Sequence, residues 1–139
     1  MRESVKVMNM SKVHVWVGVN NVDDETFEKY FELDYDDLDM DIDDPLYKVC
    51  QFCLDINEKW YDEDCIGVYK EDNTVDVRVL LEELLVSKET LLEIQDICKK
   101  RGLENSNAMF YYMDSEINVA DLNKLYNGLT YIGKFCTNL

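Results

Sequence analysis

Between Asp23 and Asp44 the chain carries twelve acidic residues and a single basic one, Lys29, for a net charge of −11 in 22 residues. Within this stretch, Asp37, Asp39, Asp41 and Asp43 alternate with Leu38, Met40 and Ile42, a period of two. An extended backbone would place these four aspartates on one side, roughly 6.6 Å apart. Like charges so arranged repel, which argues against a central strand and for an edge strand or an exposed loop. The core therefore has to be assembled from what lies on either side, and the acidic stretch is the first candidate for a functional surface.

The rest of the chain is suited to that. Its 139 residues are enough for one domain, 47% of them are apolar and 32% charged, so the chain is globular material and not a disordered acidic tail. The whole sequence has a net charge of −16, yet residues 88–139 carry only seven acidic against six basic residues. A polyanion repels nucleic acid and anionic membranes, so neither is expected as a partner. No apolar run is long enough for a transmembrane helix, and the first eleven residues lack the apolar core of a secretory signal. The five cysteines, an odd number, read as reduced thiols of a cytoplasmic protein.

The alternation of Val13, Val15 and Val17 with His14 and Trp16, ending at Gly18, predicts a central strand with Trp16 in the core. Asp23 or Asp24 can cap a helix to about Phe31, with Phe27, Tyr30 and Phe31 on its apolar face. Pro45, the only proline, suits the first position of a helix capped by Asp44 and running to about Ile56. Cys65–Tyr69 reads as a strand, residues 70–73 as a turn and Val77–Val86 as a helix. Ser87 caps a helix that stops at Gly102. A buried strand over Ala108–Met113, a short helix over Val119–Tyr126 and a last strand over Leu129–Cys136 complete the chain. The expected fold is a single α+β domain over residues 12–139, preceded by a ragged extension at 1–11. Its antiparallel or mixed sheet of about four strands is covered by helices.

Catalytic signatures are sparse. There is one histidine, no nucleophile-elbow motif and no phosphate-binding glycine loop. Asp62, Glu63 and Asp64 would suit a metal-dependent hydrolase, but no basic substrate groove accompanies them, and a solvated turn is the simpler reading. Cys50 and Cys53 form a C-x-x-C pair without a second pair to complete a zinc site, so one or both are expected to be small buried hydrophobes, with Gln51 and Phe52 between them inside a helix. Asp37, Asp39 and Asp41 match positions 1, 3 and 5 of a calcium loop, but Ile42 and Lys48 stand at positions 6 and 12, where glycine and glutamate are required. No cofactor or resident metal is expected. A calcium- or metal-responsive acidic module stays open as the alternative function, and a carboxylate-dependent hydrolase as a third.

Four features in order carry a resemblance: Val13-His-Val-Trp-Val-Gly18, followed by an acidic helix with Phe27, Tyr30 and Phe31; Asp34-Tyr35 opening an acidic stretch; Trp60-Tyr-Asp-Glu-Asp64 before a short apolar strand; and Leu129-Thr-Tyr-Ile-Gly-Lys-Phe135 near the end. Together, over about residues 12–135, they resemble the immunity protein 22 family of bacterial polymorphic toxin systems. One departure is Cys65-Ile-Gly-Val-Tyr69, which lacks the acid that family usually carries after the turn. The resemblance implies a small cytoplasmic antidote, not an enzyme, that binds a cognate toxin domain and blocks it. Nuclease toxins are basic because they hold phosphates, and an acidic surface complements them. The residues expected to meet such a partner are Asp34, Tyr35, Asp36, Asp37, Asp39, Asp41, Asp43, Asp44 and Tyr47, the two tyrosines as anchors. Whether the protein self-associates is left open by the sequence.

Overall fold

A computed structural model describes residues 11–32, 50–58, 61, 63–113, 117–119, 121 and 123–138. The expected partner-contacting residues, from Asp34 to Tyr47, lie outside this set, as do Asp62, the helix start at Pro45 and most of the N-terminal extension. The described residues form one five-stranded sheet and four α-helices. Strand β1 (Lys12–Gly18) is followed by helices α1 (Asp24–Lys29) and α2 (Gln51–Asp55). Next come β2 (Ile66–Asp76), α3 (Val77–Leu81), α4 (Lys88–Lys100) and β3 (Asn105–Tyr112), then β4 (Leu125–Tyr126) and β5 (Leu129–Cys136). The strand order is β2-β3-β1-β5-β4, and every neighbouring pair is antiparallel. The fold is thus α+β as expected, with one strand more than expected and no parallel pairing.

β1 is the central strand, and Val13 to Gly18 are all buried, so both faces of the sheet are covered. On one face Trp16 stacks on Phe110 of β3 (centroids 4.5 Å apart) and meets the edge of Phe52 of α2 (5.7 Å). Phe31 at the end of α1 closes on Phe110 (4.9 Å) and Phe52 (5.6 Å), so α1 and α2 are held by an aromatic cluster. The geometry is edge-to-face at many of these contacts, as ring quadrupoles prefer. The opposite face, with Val13, Val15 and Val17, is left for α3 and α4, which bring the buried Leu80, Leu81, Ile94 and Cys98.

α4 follows the sequence closely. Ser87 Oγ accepts from the Thr90 N–H (3.2 Å), Lys99 and Lys100 sit in the last turn, and Gly102 takes a positive φ of 75°. Three expectations need correction. None of the described residues in 119–126 is helical: Asn127 and Gly128 take φ of 53° and 81°, and Tyr126 pairs with Leu129, which makes a two-residue hairpin joining β4 to β5. Asn-Gly is the preferred dipeptide for that turn because both central residues need positive φ. Residues 70–73 do not end β2, which runs on to Asp76 with a register break between Lys70 and Val75. Finally, α3 stops at Leu81, not Val86.

Gly67 lies opposite Tyr111 across β2 and β3, and a Cβ there would stand 2.3 Å from the Tyr111 ring. The ring covers the glycine and stacks on Tyr69 (6.2 Å). Gly67→Ala is therefore expected to cost about 1–3 kcal/mol by overpacking. A thermal melt followed by circular dichroism should drop by roughly 4–10 °C. Trimming the ring in a Gly67→Ala/Tyr111→Leu double variant should cost less than the sum of the two single changes.

Candidate functional site

The described part of the acidic region is α1. Asp23 caps it by accepting from the Thr26 N–H (2.7 Å), and the Thr26 side chain together with this N–H holds the Asp23 carboxyl below its usual range. Asp24 and Glu25 occupy the first turn, where the positive helix end favours them. Phe27, Tyr30 and Phe31 face the core, so Glu25, Glu28 and Glu32 are left in solvent. Asp24 also meets Lys70 of β2 (3.2 Å), which ties the helix to the edge strand.

The two ends of the stretch beyond α1 are held side by side. The Phe52 N–H donates to the Tyr30 carbonyl (3.0 Å), and the Tyr61 hydroxyl donates to the Phe31 carbonyl. The chain that passes Glu32 therefore comes back at Cys50 against the same aromatic cluster. The helix there begins at Gln51 and is capped by Cys50, whose backbone is extended. That corrects the placing of Cys50 within a helix continuous to Ile56; the expected start at Pro45 lies outside the described residues. Cys50 Sγ accepts from the Cys53 N–H (3.4 Å), and hydrogen bonding from Cys53 brings the Cys50 thiol down to about 7. Cys53 is pushed the other way by the side-chain hydrogen bond it shares with Cys50 and by burial. Both cysteines are buried, as expected for packing residues.

Asp55 ends α2 and gathers three donors: the Tyr30 hydroxyl (2.5 Å), Lys124 Nζ (2.9 Å) and Gln51 Nε2 (3.1 Å). Burial works to raise its pKa, but Lys124 and Tyr30 outweigh it and hold the carboxyl below the usual aspartate value. Lys124 also lies 5.0 Å from the centre of the Tyr126 ring, so the segment before the hairpin is fastened to α2. A depressed pKa contributes stability that is complete above the unfolded value, about 4, and is lost as the pH falls below it. Asp55→Asn is expected to cost about 1 kcal/mol at neutral pH. In urea unfolding at pH 7, 4 and 3, the gap between the variant and the parent should narrow as the pH falls.

A second support was not visible in the sequence. Asn107 of β3 is fully buried, and its Oδ1 accepts from the Asn20 N–H (2.8 Å) while its Nδ2 donates to the carbonyls of Asn20 (2.8 Å) and Glu71 (3.2 Å). Asn20 Nδ2 donates in turn to the Asn127 carbonyl (2.7 Å), and Asn127 Nδ2 to the Phe27 carbonyl (3.1 Å). These three asparagines fix the entry to α1, the break in β2 and the β4–β5 turn against one another. Of the three, only Asn127 had a readable signal, the glycine that follows it.

Among the described residues, no group of three histidine, cysteine or carboxylate side chains is placed to hold a metal ion, and no helix is long and apolar enough to cross a membrane. Fold and surface together define a small antiparallel α+β domain with an acid-rich flank. Residues 13–137 match the family described as Immunity protein 22, and the chain belongs to that family. No curated protein and no solved structure matches it. The family is one of immunity proteins, whose role is to neutralise a protein toxin.

Proposed function

We propose that this immunity protein acts in the cytoplasm on a basic, nuclease-type toxin domain, and that it inhibits by binding through its acidic surface rather than by catalysis. The family match over residues 13–137 carries the reading, and the net charge of −11 between Asp23 and Asp44 gives it its chemistry. A domain that holds nucleic acid must present cations to phosphates, and a dense anionic surface competes for those cations and speeds encounter. Asp34, Asp36, Asp37, Asp39, Asp41, Asp43 and Asp44 supply most of the charge, and Tyr35 and Tyr47 are the anchors, since tyrosine is a common hot-spot residue at interfaces. Nucleic acid and anionic membranes are not partners of such a surface.

The test is calorimetric titration against the toxin domain encoded beside this chain's gene, at low and at moderate salt. Nanomolar binding that weakens as salt rises is expected. The combined change of Asp37, Asp39, Asp41 and Asp43 to asparagine should slow association by about tenfold or more at low salt and leave the melting temperature nearly unchanged. Binding that ignores both salt and these four changes would rule out the acidic contact.

A further inference from the structure

A cleft of about 580 Å³ lies between α1 and the edge strand β2. Phe31 and Tyr61 form its floor, both nearly inaccessible, and the half-buried Ile66 and Val68 form its β2 wall. Its other wall is the solvent face of α1, where Glu25, Glu28 and Glu32 recur at helical spacing with Lys29 among them. β2 pairs with β3 on one side, and among the described residues nothing pairs with its other side. A partner segment can add to such an edge by pairing with its outward backbone donors and acceptors.

We infer that this cleft receives an extended, basic segment of the toxin, which lays an apolar side chain against Ile66 and Val68 and places lysine or arginine over Glu25 and Glu28. The inference rests on the reading of the chain as an immunity protein and names the surface it uses. Three observations converge on that occupant. The apolar floor and wall call for a buried anchor, which charge alone would not provide. The carboxylates outnumber Lys29 three to one at the rim and so select a cationic segment. Glu32, at the cleft rim, precedes in sequence the stretch holding Asp34 to Asp44, so the rim belongs to the most acidic segment of the chain.

The test compares two variants of equal charge change, Glu25→Lys/Glu28→Lys at the cleft and Glu89→Lys/Glu93→Lys on α4. All four positions are exposed, and each pair puts one lysine in the first turn of its helix. The two variants therefore lose no buried contact and carry a matched helix-end penalty, with circular dichroism checking that both are folded. Calorimetry against the neighbouring toxin domain should show the cleft variant weakened by roughly 100-fold and the α4 variant by less than about threefold. Hydrogen exchange on the wild-type complex should show added protection by the toxin at the outward-pointing, alternate backbone amides between Ile66 and Lys70. Equal losses in the two variants, or no protection along β2 in a formed complex, would overturn the cleft while the immunity reading stands. A wild-type protein that does not bind the toxin at all would overturn that reading, and the cleft with it.

Discussion

Trp16→Ala is expected to lose about 3–5 kcal/mol, the largest single-residue effect on stability in this chain. Trp16 is fully buried in the central strand and touches rings from four elements: Phe110 of β3, Phe52 of α2, Tyr126 of β4 and Tyr131 of β5. Removing the indole opens a cavity where these elements meet, and a small domain has only about 5–15 kcal/mol in total. Part of the loss should fall on function. Phe31 and Phe52 hold together the described chain on either side of residues 33–49, and Phe52 loses its edge contact with the indole. Binding to the toxin should therefore weaken in Trp16→Ala even at temperatures where the variant is folded. Trp16→Phe provides the contrast. The indole Nε1 is buried and has no hydrogen-bond partner among the described residues, so phenylalanine removes an unsatisfied donor along with some packing. Urea unfolding should place Trp16→Phe within about 2 kcal/mol of the parent. A Trp16→Ala protein that unfolds at the parent's midpoint would show that the cluster is not the centre of the core.

How much of this was legible varies with how local the cause is. β1 and β5 declare themselves by alternation, and α4 by Ser87 and Gly102, because each signal lies within the element it defines. The hairpin at Asn127-Gly128 was equally local but was outweighed by Val119, Leu122 and Tyr126, whose spacing imitates a helix face. The start of α2 was missed because its cap is a thiol, outside the usual serine, threonine, aspartate and asparagine set. Glu71, Asp72 and Asn73 read as a turn because nothing in residues 70–76 reveals that a third segment bridges the break in β2. The candidate site was legible as charge and, through the family motifs, as a role. The cleft beside it was not, since α1 and β2 are separated by more than thirty residues in sequence.

The bridge across that break is Asn107, and its removal is the second large effect. Asn107→Leu keeps the branched shape of the side chain, with bulkier methyl ends, but strips partners from the Asn20 N–H, the Asn20 carbonyl and the Glu71 carbonyl at once. Each group left unpaired and shielded from water costs about 1–3 kcal/mol, so a total loss of roughly 3 kcal/mol is expected, allowing for partial hydration of Glu71. That should lower the melting temperature by about 10 °C. Asn107→Asp should be worse at neutral pH, although it is the smaller chemical change. It keeps the acceptor for the Asn20 N–H but turns two donor contacts into carboxylate facing carbonyl, and it puts an uncompensated charge in a fully buried position. Burial raises the pKa of such a carboxyl, so the penalty is present at high pH and is relieved as the pH falls and the group takes a proton. The order of melting temperatures should therefore be parent, Asn107→Leu, Asn107→Asp at pH 7, with the last two drawing together near pH 5. Because the same amide sets the entry to α1, both variants should also loosen Glu25 and Glu28, and hydrogen exchange should rise first at residues 20–27. An Asn107→Leu protein as stable as the parent, with α1 equally protected, would mean that the strand pairing alone closes the gap between Lys70 and Val75.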